Sequence, residues 1–256
     1  MIKKLGFQLY TVRDFIGDYE FADVAFGKLA KMGYTEVQTF GRPFDEKLFY
    51  ELLQKHGISV IGTHYDLKKI CEDPEGTVAL HRMWNTTNIG IGSLPPVAHN
   101  NLTELKAFIK QFNDAAAIYA KEGFKLTYHN HSFEFVRIDG YKTIMDVLFE
   151  ELDPENTSFV LDTCWVAAGA GDVTQWMEKL KGRIDILHLK DACIDRNNYA
   201  VRVTEVGNGN LAWDKIIATA EEIGVKHYIV EQDNGFNRTP FNSLKMSADF
   251  LAKYKV

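Results

Sequence analysis

Residues 158–190 read SFVLDTCWVAAGAGDVTQWMEKLKGRIDILHLK. Two short apolar runs, 158–162 and 185–190, flank a stretch at 173–181 whose apolar residues recur at helical spacing. Strand, helix and strand in that order form the unit of a parallel sheet. Side chains alternate along a strand, so the parity of each run assigns its two faces. Phe159 and Leu161 suit a helix-covered outer face, which turns Val160 and Asp162 inward; Leu187 and Leu189 do the same for Ile186, His188 and Lys190. Both strands therefore end in a polar, inward-facing residue.

The pattern continues in both directions. Strands are expected at 5–10, 36–40, 59–64, 88–93, 125–131 and 228–232 as well, eight in all, alternating with helices near 20–32, 46–56, 75–85, 103–122, 143–151, 173–181, 213–223 and 242–254. Asn101 or Thr103 can cap the fourth helix, and Gly33, Gly57, Gly123 and Gly224 each follow a helix, where glycine supplies a left-handed C-cap. No linker or low-complexity run interrupts the repeat, so residues 1–256 are expected to form a single α/β domain, a (β/α)8 TIM barrel, for which about 250 residues is the usual length. A doubly wound open sheet shares the alternation but opens with a glycine-rich turn. Here the first strand runs into Tyr10-Thr11-Val12-Arg13-Asp14, with neither GxGxxG nor GxxxxGK[ST] anywhere.

Composition narrows the function classes. The chain is 46% apolar and 25% charged, with a mean hydropathy of -0.20, as in a water-soluble globular domain. Its 29 basic and 35 acidic residues leave a net charge of -6 without a basic stripe, which disfavours a nucleic-acid partner. Cys71, Cys164 and Cys193 are too few and too scattered for a disulfide framework or zinc knuckle, which suits a reducing cytoplasm. Met1-Ile2-Lys3-Lys4 leads straight into the first strand, so no secretory leader is expected, and no apolar run reaches the 18 or so residues of a membrane span.

In a barrel of this kind the chemistry gathers at the C-terminal strand ends. Parity turns Thr127, His129 and His131 inward on the fifth strand, and Ile229 and Glu231 on the eighth. Glu134, Asp162, His188 and Glu231 are the expected ligands of one divalent ion (Mn2+, Mg2+, Co2+ or Zn2+); this hard, oxygen-rich set leaves room for substrate oxygens. An isolated histidine is more often a satisfied core residue, and the three carboxylate-bearing strand ends beside His188 change that balance. Lys190 falls over the mouth, where it can meet a substrate oxygen or phosphate; Trp165, Phe7 and Tyr10 can stack on a sugar, although aromatics here commonly serve the core. Arg13 and Arg202 are further candidates for substrate contact. Gly207-Asn208-Gly209 resembles a phosphate cradle, but a bare GxG more often marks a tight loop.

The segments YHNHSFEF (128–135), LDTCWV (161–166), LHLKDA (187–192), VGNGNLAW (206–213) and VEQD (230–233), with FQLYTVRD (7–14) near the start, resemble the sugar-phosphate isomerase/epimerase-like proteins of the xylose-isomerase-like superfamily. That resemblance implies a mononuclear metal site at Glu134, Asp162, His188 and Glu231, and a sugar isomerase or epimerase working through a metal-stabilised enediolate. Catalytic roles fall to His131, Glu134 and Glu231, and substrate contacts to His64, His129, Trp165, Lys190 and Arg202. The paired histidines of YHNH also suit a lyase or hydrolase acting on 3-keto-glycosides or inososes by β-elimination. Gln38 stands where relatives often place a glutamate. Trinuclear abasic-site endonucleases share the superfamily, but Trp165 stands where they carry a histidine, and Val201-Arg202-Val203 lacks their Asp-x-His. A metal-free binding barrel would leave three inward carboxylates unpaired. Homo-oligomers are common among such barrels.

Overall fold

A computed structural model describes residues 1–41 and 44–256. Eight parallel strands alternate with helices in a nearly closed barrel: β1 (Leu5–Gln8), β2 (Tyr34–Phe40), β3 (Ser59–His64), β4 (Asn88–Ile91), β5 (Lys125–His129), β6 (Thr157–Asp162), β7 (Ile184–Leu189) and β8 (His227–Val230). Each strand pairs with its sequence neighbour except β3 with β4, and β1 pairs with β8. At the seam between β3 and β4, Tyr65 N donates to Gly90 O at 2.7 Å and Asn88 Nδ2 to Ile61 O at 3.1 Å.

The core has two parts, as the parity argument requires. Leu161, Leu187, Leu189, Leu126, Tyr128 and Phe159 join the large cluster between sheet and helices, while Val160, Ile186 and Ile229 meet Ile61 in a small cluster of their own. The same inward faces thus carry an apolar plug below and the polar residues above. A glycine makes room beside the seam: a Cβ on Gly90 would fall 2.3 Å from Thr63 O and 2.5 Å from Thr127 Oγ1. Gly90→Ala is therefore expected to cost about 1–3 kcal/mol by overpacking, read as a Tm lowered by roughly 2–4 °C per kcal/mol. An unchanged Tm would mean that the seam has slack.

The expected helices lie within two or three residues of the observed ones, such as Leu102–Ala120 and Trp213–Ile223. Asn101 caps the former, accepting from Thr103 N and Glu104 N. Several loop elements exceed the eightfold repeat: short helices Leu67–Glu72 and Thr163–Ala168, and hairpins formed by Arg137–Asp139 with Lys142–Thr143 and by Asp191–Ile194 with Val201–Thr204. β1 is also shorter than expected, because the chain turns into a 3-10 segment, Leu9–Phe15, that brings Tyr10 over the barrel mouth. No helix among the described residues is long and apolar enough to cross a membrane.

Candidate functional site

A cavity of about 340 Å³ opens at the C-terminal strand ends, lined by Tyr10, Phe40, His64, Gly92, His129, His131, Glu231 and Asp233. A groove of about 400 Å³ elsewhere, between Ala167–Thr174, the Asp191–Thr204 hairpin and Ala212–Ile216, has no cluster of buried ionisable groups. The chemistry-bearing residues are at the mouth. The register explains why: Asp162 pairs with His188, which in turn pairs with Ile229 one residue before the end of β8.

His129, Asp162, His188 and Glu231 each present one ligand atom such that all four atoms lie within 4.8 Å of one another, and all four residues are buried. Asp162 caps the helix Thr163–Ala168 with Oδ1, which accepts from Trp165 N at 2.9 Å. Its Oδ2 has no hydrogen-bond partner and lies 3.5 Å from His129 Nε2, 3.7 Å from His188 Nδ1 and 3.4 Å from Lys190 Nζ. Glu231 Oε2 lies 3.1 Å from His188 Nδ1 and 3.0 Å from Lys190 Nζ. Burial opposes ionisation of both acids, yet Lys190 and the imidazoles beside them hold each carboxyl below the usual carboxylate range. His188 is raised, burial being outweighed by Glu231 and Asp162. A donor set of two imidazoles and two carboxylates, with one buried carboxylate oxygen and one buried imidazole nitrogen left unpartnered, fits a divalent cation.

Three of the four expected ligands, Asp162, His188 and Glu231, are thus brought together, and Glu134 is not. Three residues past the strand, the chain winds a 3-10 turn, Phe133–Phe135, that directs the carboxylate back onto β5. There it accepts from Tyr128 OH at 2.5 Å and His131 N at 2.7 Å, and burial pushes its carboxyl up to about 7. Its oxygens are claimed, and His129 stands in its place among the four. These bonds tie Glu134 to the loop that carries His131.

His64 and His131 line the cavity, and both are held neutral. Burial lowers His64, with His129 and His188 adding to the effect, and burial with His129 brings His131 to about 3. His131 stacks on Phe133 and faces Trp165, whose Nε1 is buried without a partner. Tyr10 meets Phe40 edge-on in the cavity wall, whereas Phe7 belongs to the core outside the barrel, against Phe26 and Tyr34. Lys190, expected over the mouth, is fully buried beneath it, bonded to Glu231 and to Asp233 Oδ2 at 2.9 Å. Arg202 lies on the hairpin beside Cys193 and Asp195, outside the cavity lining. Arg13 donates to Tyr10 O and Asp233 O, holding two segments of the rim together. The Gly207–Gly209 turn is no phosphate cradle, because Asp191 already accepts its N–H groups.

Sequence reasoning missed Gln8, Asn130, Thr163 and Asp233. Asn130 Oδ1 accepts from Asp162 N at 2.9 Å, and Thr163 Oγ1 bridges His188 O and Lys190 O. Asp233 alone had a signal, an acidic residue two past Glu231.

The structure of a sugar phosphate isomerase/epimerase from Parabacteroides distasonis ATCC 8503 matches 97% of this chain and 93% of that chain at a TM-score of 0.82 and 26% sequence identity. A second protein so described from the same organism matches 98% of each chain at 0.81 and 23% identity. The probable 3-DHS dehydratase of Bacillus anthracis gives 0.73 at 14% identity over 98% of this chain and 99% of that one, which is a likeness of fold alone. No curated protein matches the sequence. The family model of the xylose isomerase-like TIM barrel matches residues 26–254, and the chain belongs to that family.

Proposed function

We propose that the protein is a divalent-metal-dependent sugar isomerase or epimerase that moves a proton next to a carbonyl, with a small carbohydrate as substrate. The observation that carries this reading is the convergence of His129, Asp162, His188 and Glu231 on one point at the barrel mouth. These four would hold the ion; once bound, it would draw electron density from a substrate carbonyl and neighbouring hydroxyl, making the intervening C–H acidic. Tyr10 and Phe40 would bound the apolar faces of a sugar ring. His131 is the proton carrier in this reading on its placement: it lines the cavity and has an Nδ1 with no partner, while burial beside His129 leaves it a weaker base than a free imidazole. His64, also neutral with Nε2 unpartnered, is placed to hold a substrate hydroxyl. Buried Lys190 fixes the carboxylates of Glu231 and Asp233 and does not itself meet the substrate.

β-Elimination from a 3-keto-glycoside or inosose starts with the same proton removal. The clustering of His64, His129, His131 and His188, with neighbouring rings 4.6–5.8 Å apart, favours it as a second reading, since elimination needs a proton acceptor and a donor for the leaving group. One experiment separates the two. Protein stripped with chelator and reloaded with Mn2+ is incubated in D2O with ketoses, 3-keto-glucosides and inososes. Deuterium in recovered sugar, dependent on the metal, is the expected result. Metal-dependent release of an aglycone or water would select elimination, and no metal uptake at all would overturn both.

A further inference from the structure

The geometry points to Gln38 as the residue that decides which nitrogen of His188 is the ligand atom, through an orientation relay beginning at a backbone N–H. This rests on the metal reading above. The relay starts where β1 ends. Gln8 caps the 3-10 segment Leu9–Phe15, and its Oε1 accepts from Tyr10 N at 3.3 Å. With its oxygen so occupied, the Gln8 amide must direct Nε2 toward Gln38, and that nitrogen donates to Gln38 Oε1 at 3.0 Å. β1 and β2 put these two residues directly opposite each other, so the contact is built into the sheet register.

Gln38 Oε1 lies 2.5 Å from His188 Nε2. Turning the Gln38 amide over would set its NH2 against the NH2 of Gln8, two donors face to face. The oxygen therefore stays toward both neighbours, and at that separation only a protonated Nε2 is tolerated. Both lone pairs of one carbonyl oxygen are then in use. Gln38 and His188 are fully buried, so no solvent is present to offer another arrangement.

With the proton on Nε2, the Nδ1 lone pair is the free one. It faces Glu231 Oε2 at 3.1 Å and Asp162 Oδ2 at 3.7 Å, two acceptors meeting a third. Such a convergence requires a cation, a second proton on the ring or a metal ion in its place. Gln38 is thus a positioning residue. Glutamine accepts the Nε2 proton without adding a further carboxylate to a site that already buries two, those of Asp162 and Glu231, beside half-buried Asp233.

The test is the affinity of chelator-treated protein for Co2+ and Zn2+, measured by titration calorimetry. Gln38→Leu is expected to weaken binding by roughly 10–100-fold, the usual effect of losing the partner of a metal-bound histidine. Gln38→Glu should rescue it, since its carboxylate still accepts from His188 Nε2. Gln8→Leu releases the orienting contact from a distance and should weaken binding by a smaller factor, which keeps the test available should Gln38→Leu fold poorly. Nitrogen-15 NMR of the Zn2+-loaded wild type should show the His188 proton on Nε2. Wild-type affinity in both leucine variants, or a proton on Nδ1, would overturn the relay. A wild type that binds neither ion would instead sink the metal reading on which the relay rests.

Discussion

Lys190→Met should destabilise the metal-free protein by about 3–5 kcal/mol, the usual consequence of removing one partner from a buried ion pair. Lys190 is fully buried, and its ammonium lies 2.9 Å from Asp233 Oδ2, 3.0 Å from Glu231 Oε2 and 3.4 Å from Asp162 Oδ2. Burial alone would discharge such a lysine; the three carboxylates outweigh burial and keep it charged. Methionine preserves most of the apolar stem and its place against Trp165, whose ring centre is 4.5 Å from Nζ. What disappears is the charge, leaving three carboxylates beside the His188 ring without it. Urea unfolding of chelator-treated protein reads the loss directly, and a difference under about 1 kcal/mol, the scale of an exposed pair, would contradict the placement of Lys190. Added Mn2+ should reduce the deficit, because an ion at the four-residue site binds only the folded state and supplies the missing positive charge. The ammonium shares Glu231 Oε2 and Asp162 Oδ2 with that site, so the variant is expected to bind Mn2+ at least as tightly as wild type.

How far the site was legible in the sequence follows from what periodicity encodes. An alternation of period two states which residues share a face, and Val160, Ile186 and Ile229 below Asp162, His188 and Glu231 are the direct product of that rule. His129 obeys the same parity, yet the sequence makes it a substrate contact and Glu134 the fourth ligand, whereas His129 joins the four that converge. The strand rule has no authority three residues beyond the strand, where a 3-10 turn reverses the carboxylate onto Tyr128. Lys190 shows the opposite limit: parity gave its face correctly but not its depth, which depends on Asp233 reaching over it from the next strand end. Gln8, Asn130 and Thr163 act by hydrogen bonds across strands far apart in sequence, and such pairings leave no local pattern. The hairpin of Asp191–Ile194 with Val201–Thr204 was hidden for a related reason, since it continues from a barrel strand without a break in composition.

Asp191→Ala is expected to cost about 3–5 kcal/mol, again by leaving buried polar groups unmatched, here donors instead of acids. The Asp191 carboxylate is fully buried at the start of that hairpin. Oδ2 accepts from Gly207 N at 2.9 Å, Gly209 N at 3.1 Å and Trp213 Nε1 at 2.6 Å, while Oδ1 accepts from Ala192 N at 2.8 Å and Leu211 N at 3.3 Å. Five donors depend on one side chain. The glycines serve the same contact: a Cβ on Gly209 would lie 2.1 Å from Asp191 Oδ1, and Gly207 takes a φ of +89° with the Phe250 ring against it. The helix Trp213–Ile223 has no capping side chain at its start, so the Trp213 indole bond to Asp191 is what ties it down. Each stranded donor carries a penalty of about 1–3 kcal/mol, reduced here because water can reach an opened loop. Asp191→Asn keeps a single acceptor oxygen and should fall between wild type and Ala. Amide exchange gives the discriminating readout: the N–H groups of Gly207, Gly209 and Leu211 should lose protection by more than the global change in stability, while Leu187 and Leu189 in the adjoining strand should follow the global change alone. Uniform loss of protection would show that the 206–213 loop is held by packing and that Asp191 is one contact among many.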